Sequence, residues 1–130
     1  MPRPPCRWWS CRSSLPAIDT ADIRAQIDGA LEIARGHLFE GVDSLCCGGA
    51  GRVDFLTEAA ARLGRSELLT VAQDAATALI ERVGLRGRCD SGWDEKRAWQ
   101  VVLFHGAPGV GYSLLRVGHP MILPSVLLWS

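Results

Sequence analysis

The chain has 130 residues, of which 48% are hydrophobic, so it is long enough for one domain with a packed core. Its 14 basic and 14 acidic residues cancel without forming a basic patch, which argues against a nucleic-acid or anionic-membrane partner. No run of about 18 apolar residues occurs, so we expect no membrane span. The N-terminus lacks the apolar stretch of a secretory signal, so we expect a cytoplasmic protein with five reduced cysteines.

Residues 1–18 differ in composition from the rest of the chain. They hold four of the seven prolines and the adjacent Trp8 and Trp9, and they show neither a helical nor a strand period. We therefore expect an irregular tail over residues 1–18 and a separate domain over residues 19–130.

The domain begins with a predicted helix that ends at Gly36. Either Asp19 or Thr20 is placed to cap it, because short polar side chains accept hydrogen bonds from the first free amide groups of a helix. Four apolar residues share one face of this helix: Ile23, Ile27, Leu31 and Ala34. The spacing of these residues matches the helical period, which predicts a helix with one buried side.

Two more helices are predicted before residue 85. The second begins among the glycines that follow Cys47 and ends at Gly64, whereas the third is capped by Ser66 and ends at Gly84. The apolar face of the second helix comprises Val53, Leu56, Ala60 and Leu63. The apolar face of the third comprises Leu68, Ala72, Ala75, Leu79 and Val83. A polar loop, a second glycine cluster and a short helix over residues 110–117 follow, so the sequence predicts an all-α fold.

An internal repeat relates the two glycine clusters. CGGAGRVDFL starts at residue 47 and HGAPGVGYSL at residue 105, and both read Cys or His, Gly, two small residues, Gly, and Leu at the tenth place. The offset of 58 residues suits a repeated helical hairpin. Each cluster would form a tight turn that leads into the next helix, or the glycines would only let neighbouring helices pack closely.

Cys46 and Cys47 are adjacent and directly precede Gly48. Thiolates are ligands that zinc prefers, and a sharp turn at the glycines would let both sulfur atoms reach one ion. The start of a helix just downstream would favour the thiolate form. The alternative is that one of the cysteines is simply a small buried side chain.

Two sequence segments carry a resemblance to a known family. SLCCGGAGRVDFL, a helix pair, and then FHGAPGVGYSLLRVGHP and LPSVLL resemble, in order and spacing, the C-terminal end of the lanthionine synthetase C-like family. The similarity is strongest to the cyclase domain that ends the class II lanthipeptide synthetases. It extends from about residue 19 to the last residues of the chain.

The resemblance implies a sector of an α/α toroid whose inner helices begin at glycine-rich loops. It also implies a zinc ion held by a Cys-Cys or Cys-His pair, here Cys46 and Cys47, and by a further cysteine upstream. In the family, this zinc turns the thiol of a peptide cysteine into a thiolate, which adds to dehydroalanine or dehydrobutyrine to form a thioether ring. A precursor lanthipeptide is therefore the implied partner.

The chain also departs from the family. Its members are several times longer, and their upstream part supplies the third zinc cysteine and the catalytic acid. Neither is recognisable here, since Cys11 lacks the glycine motif that follows the family's cysteine, and we assign no catalytic residue. His105 resembles the histidine of a metal motif, but its place in the last repeat favours a polar loop residue. His37 and His119 are expected in surface loops.

Two interpretations follow from this pattern. In the first, the chain is the incomplete C-terminal portion of a zinc-dependent cyclase, either half of a split enzyme or the product of a broken gene. By itself it would be inactive or nearly so, and its partner would be the missing N-terminal part of the enzyme. In the second, it is a free-standing helical module that binds zinc or another protein without catalysis.

Overall fold

The computed structural model describes residues 20–92 and 101–128. These residues form four helices, α1 (Ala21–Gly36), α2 (Gly49–Leu63), α3 (Ser66–Arg86) and α4 (Ala107–Gly118), and no strand. The predicted all-α fold is therefore confirmed, while the predicted tail over residues 1–18 lies outside the described residues. Within the described ranges, no helix has the length and apolar character needed to cross a membrane.

The chain divides into two compact units, Met1–Ala30 and Leu31–Ser130. In the first unit, the described residues belong to the start of α1 and its cap. The hydroxyl oxygen of Thr20 accepts a hydrogen bond from the amide of Ile23 at 3.3 Å, so Thr20 satisfies a free amide group of the first turn. Asp22 lies in the same turn, where a negative charge favours the positive end of the helix dipole.

The second unit is built around α2. This helix packs against both α3 and α4, and α3 also contacts α4. Ala50, Leu79 and Val110, one from each of these helices, form a buried apolar cluster. Leu31 and Ala34 from the end of α1 are also buried. The predicted apolar faces thus supply most of the core, but Ile23, Ile27 and Val83 are only partly buried, and Leu63 is exposed at the end of α2.

The boundaries of α3 differ from the prediction at both ends. Ser66 is the first helical residue rather than the cap; Arg65 holds the cap position and makes no side-chain capping bond. The helix also continues through Gly84 to Arg86 and ends at Gly87, whose φ of 68° is the left-handed conformation that glycine adopts easily. Glycine inside a helix costs only about 1 kcal/mol, so Gly84 does not end the helix.

The last helix begins earlier than predicted, at Ala107 instead of residue 110, with Pro108 in its first turn. Proline fits there because the first amide groups of a helix have no partner within it. The α/α toroid sector implied by the resemblance stays a prediction.

Candidate metal centre

The two copies of the repeat fold in the same way. Gly48 precedes α2 and Gly106 precedes α4, and both have an extended backbone. The amide of Gly48 donates to the carbonyl oxygen of Ser44 at 3.0 Å, and the amide of Gly106 donates to that of Val102 at 2.9 Å. Each glycine and each acceptor lies 58 residues from its counterpart, so the sequence repeat is also a structural repeat.

A second glycine in each copy permits a close approach of the loop to the helix. A Cβ atom on Gly51 would overlap the carbonyl oxygen of Leu45, and one on Gly109 would overlap that of Leu103. These glycines are required because only a residue without Cβ lets the backbone approach so closely. Both interpretations of the clusters therefore apply, since the glycines form the turns and also allow close packing.

The loop before α2, called the first loop, and the loop before α4, called the second loop, are in direct contact. The amide of Cys46 donates to the carbonyl oxygen of Phe104 at 3.0 Å, which places His105 beside the cysteine pair. The sulfur atom of Cys46 lies 3.3 Å from Nδ1 of His105. One ligand atom from each of Cys46, Cys47 and His105 can be chosen so that all three lie within 4.8 Å of one another. All three residues are exposed, so the cluster is open to solvent.

Asp43 anchors the first loop to α3. Its fully buried carboxylate pairs with the guanidinium of Arg82 and accepts a hydrogen bond from the amide of Asp90 at 2.7 Å. Its own amide donates to the carbonyl oxygen of Asp90 at 2.7 Å. A buried carboxylate is stable only when it is paired and hydrogen-bonded, and this set of partners meets that need. The loop that carries the cysteines is thus held three residues before Cys46.

A second buried ionic cluster joins α4 of the second repeat to α2 of the first. Arg116 of α4 contacts the carboxylate of Asp54 at 3.0 Å and pairs with Glu58, both of α2. Ser125 also donates to Asp54, at 2.7 Å. The burial of these charges was not predicted, because charged residues at helical spacing usually face solvent. The only signal was the 58-residue offset between Glu58 and Arg116, which equals that of the repeat.

The pKa of the Cys47 thiol is raised from its usual value. The main cause is the hydrogen bond with the side chain of Cys46, followed by burial and then by charge repulsion from Cys46. For Cys47, these effects together favour the thiol over the thiolate, because the neighbouring sulfur opposes a second negative charge, and the predicted stabilisation of a thiolate by the start of α2 stays a prediction. A bound cation would remove that repulsion by pairing with both sulfur atoms.

The donor atoms of this cluster fit zinc. Tetrahedral zinc, with bonds of about 2.3 Å to sulfur and about 2.0 Å to nitrogen, places such ligands roughly 3.5 Å apart. The distance of 3.3 Å between Cys46 and His105 is close to this value. Two sulfur atoms and one imidazole are also a donor set typical of zinc.

The candidate ligands named from the sequence lie in different parts of the chain, and the structure brings only some of them together. Cys46 and Cys47 lie together on one loop, although their role as zinc ligands stays a prediction. Cys11 lies outside the described residues. His37 contacts Glu40 at 2.7 Å in an exposed turn. The sequence predicts a polar loop residue at His105, but the structure places its side chain against Cys46. The alignment of His105 with Cys47 in the repeat is the sequence signal for this position.

Comparison with known proteins matches the chain to one protein family. The family model for lanthionine synthetase C-like proteins matches residues 9–128, so the match begins within the predicted tail and before residue 19, where we expected the similarity to start. No curated protein and no solved structure matches the chain. Because the family match spans most of the sequence and includes both glycine-rich loops, the chain belongs to the lanthionine synthetase C-like family.

Proposed function

We propose that this protein acts in a zinc-dependent lanthipeptide cyclase of the class II type, in which it supplies the C-terminal part. The reaction joins the thiol of a peptide cysteine to a dehydroalanine or dehydrobutyrine of the same peptide. A carbon–sulfur bond forms at the β-carbon, the carbon–carbon double bond is lost, and a proton is added at the α-carbon. The thioether ring is therefore an isomer of the open peptide.

The observation that carries this proposal is the exposed pair of thiols at the start of an interior helix, in a chain of this family. Cys46 and Cys47 would hold the zinc. Zinc bound there would lower the pKa of a peptide thiol and so supply a thiolate near neutral pH. The open surroundings of the two cysteines leave room for an incoming peptide.

The chain's own residues fix where this chemistry would take place. Asp43 ties the loop to α3 through Arg82, and the amide of Cys46 ties it to the loop before α4, so the backbone that carries the two cysteines is held in place. A loop that is already ordered loses little conformational entropy when the metal binds, so the free-energy cost of binding is lower. No described residue is assigned as the acid that protonates the α-carbon, so we expect slow ring closure by this chain alone.

A single-turnover assay tests the proposal. The full chain, loaded with zinc and in excess, is incubated with a peptide that contains one cysteine and one dehydroalanine. Thiols that remain are then alkylated and counted by mass spectrometry, because ring closure removes the thiol without changing the mass. We expect faster thiol loss with the zinc-loaded protein than with Cys46→Ala.

The matched control is Cys89→Ala, which removes a cysteine whose sulfur is not among the clustered donor atoms. It should behave as the wild type does. Equal rates of thiol loss with wild type and Cys46→Ala would contradict the cyclase proposal. If the protein binds zinc through Cys46 and yet does not accelerate ring closure, the alternative of a helical zinc-binding module without catalysis is favoured.

A further inference from the structure

We propose that His105 is the third zinc ligand of this protein, supplied by the second copy of the repeat. The inference rests on the proposed zinc site at Cys46 and Cys47 and adds a ligand to it. It differs from the resemblance, which implies a third ligand upstream of the pair. With His105, the three protein ligands all come from the described part of the chain.

The geometry carries this assignment. Nδ1 of His105 is 3.3 Å from the sulfur atom of Cys46, whereas Nε2 is 3.9 Å away, so the imidazole turns its Nδ1 edge toward the cysteine. A sulfur–nitrogen separation of roughly 3.5 Å is the one that tetrahedral zinc requires. The ligand atoms of all three residues already lie within 4.8 Å of one another, so only small side-chain movements would be needed.

The backbone fixes His105 in this place. The residue before it, Phe104, accepts the amide hydrogen bond of Cys46 at 3.0 Å, and the residue after it, Gly106, is held by a turn to Val102 at 2.9 Å. Both neighbours of His105 are thus held by backbone hydrogen bonds, and the one before it is hydrogen-bonded to Cys46 itself. The close contact between the cysteine and the histidine therefore follows from how the two loops meet and not from a chance side-chain orientation.

The charge and number of these ligands suit a site that also binds substrate. Two thiolates and one neutral imidazole balance the charge of Zn²⁺. Zinc sites in enzymes typically have three protein ligands and one position open to water or substrate. The exposure of the three side chains leaves such a position accessible to a peptide thiol.

The inference also predicts how metal binding affects the fold. Cys46 and Cys47 precede α2, whereas His105 precedes α4, so one zinc ion would connect the two repeats. A ligand that binds only the folded state stabilises that state. Zinc should therefore raise the melting temperature of the wild type more than that of His105→Ala.

The experiment measures zinc affinity of the full chain by competition with a chromophoric chelator and records the absorption spectrum of the Co²⁺-loaded protein. We expect His105→Ala to bind zinc at least about 100-fold more weakly, since even lost outer-shell partners cost 10- to 100-fold. Its Co²⁺ spectrum should also change in the visible region. His105→Cys should restore binding and add sulfur-to-cobalt charge transfer.

The matched control is His119→Ala, the same substitution at a histidine that follows α4, away from the clustered donor atoms. It should bind zinc as tightly as the wild type. If His105→Ala also binds as tightly while Cys46→Ala does not bind, the inference is overturned and the proposed zinc site is kept. If the wild type binds no zinc, or if Cys46→Ala binds it unchanged, the proposed zinc site fails, and the inference fails with it.

Discussion

Arg116 should be among the residues on which the stability of the fold depends most. Its side chain is 2% exposed and contacts the carboxylate of Asp54 at 3.0 Å and that of Glu58. It also donates to the carbonyl oxygen of Leu123 at 3.1 Å. The change Arg116→Ala would leave two buried carboxylates without their shared cation. It would also remove these ionic contacts between α4 and α2.

The size of the loss in stability depends on which hydrogen-bonding and charged partners each carboxylate keeps after the substitution. Removing one partner of a buried ion pair costs about 3–5 kcal/mol, because the remaining charge is buried without compensation. Asp54 retains the hydroxyl of Ser125 at 2.7 Å, and Glu58 retains the guanidinium of Arg62. We therefore expect the lower end of this range, a loss of about 3 kcal/mol in the free energy of unfolding.

Urea unfolding followed by far-ultraviolet circular dichroism measures this loss. The matched control is Arg62→Ala. Arg62 also pairs with the carboxylate of Glu58, but the Arg62 side chain is 46% exposed. Glu58 would keep its contact with the buried Arg116, and the Arg62 side chain is half exposed, so the control should lose clearly less stability than Arg116→Ala. Arg116→Lys, which keeps a charge, should lose less than Arg116→Ala. If the Arg116→Ala and Arg62→Ala variants lose equal stability, the assigned role of the buried cluster is wrong.

Two further predictions concern the loops and the cysteines. Gly109→Ala should destabilise the protein by about 1–3 kcal/mol or more, because its Cβ would overlap the carbonyl oxygen of Leu103. Gly111→Ala in the same helix should stabilise it by about 0.5–1 kcal/mol, because its Cβ has open space; thermal unfolding of both variants checks this, and a similar loss in both would contradict it. In metal-free protein at mildly alkaline pH, Cys46→Ala should make Cys47 react faster with iodoacetamide, since the hydrogen bond and repulsion that raise its pKa both come from Cys46. Peptide mapping by mass spectrometry measures that rate, and an unchanged or slower rate would be inconsistent with the assigned cause.

Local sequence patterns predicted the helices well because the helical period of apolar residues is a local property. The faces of α2 and α3 were correct at their centres, where Leu56 and Leu79 are buried. The errors lie at the ends. Gly84 suggested an end to α3, but a glycine inside a helix is tolerated, and Gly87 provides the left-handed residue that ends it.

The candidate site was only partly predictable. Cys46 and Cys47 are neighbours in sequence, so their meeting required no knowledge of the fold. His105 is 59 residues from Cys46, and only the packing of one repeat against the other brings them together. The burial of Asp54 and Arg116 was missed for the same reason, since each charge is stabilised by a partner distant in sequence.

X-ray absorption at the zinc edge shows whether the cysteine pair binds zinc, because it reports the atoms bound to the metal in the intact protein. For the zinc-loaded wild type, we predict sulfur ligands at about 2.3 Å and at least one nitrogen or oxygen ligand at about 2.0 Å. The sulfur signal should decrease in Cys46→Ala and in Cys47→Ala. A wild-type spectrum without sulfur ligands would mean that the cysteine pair does not bind the metal, and the proposed zinc site would then be wrong.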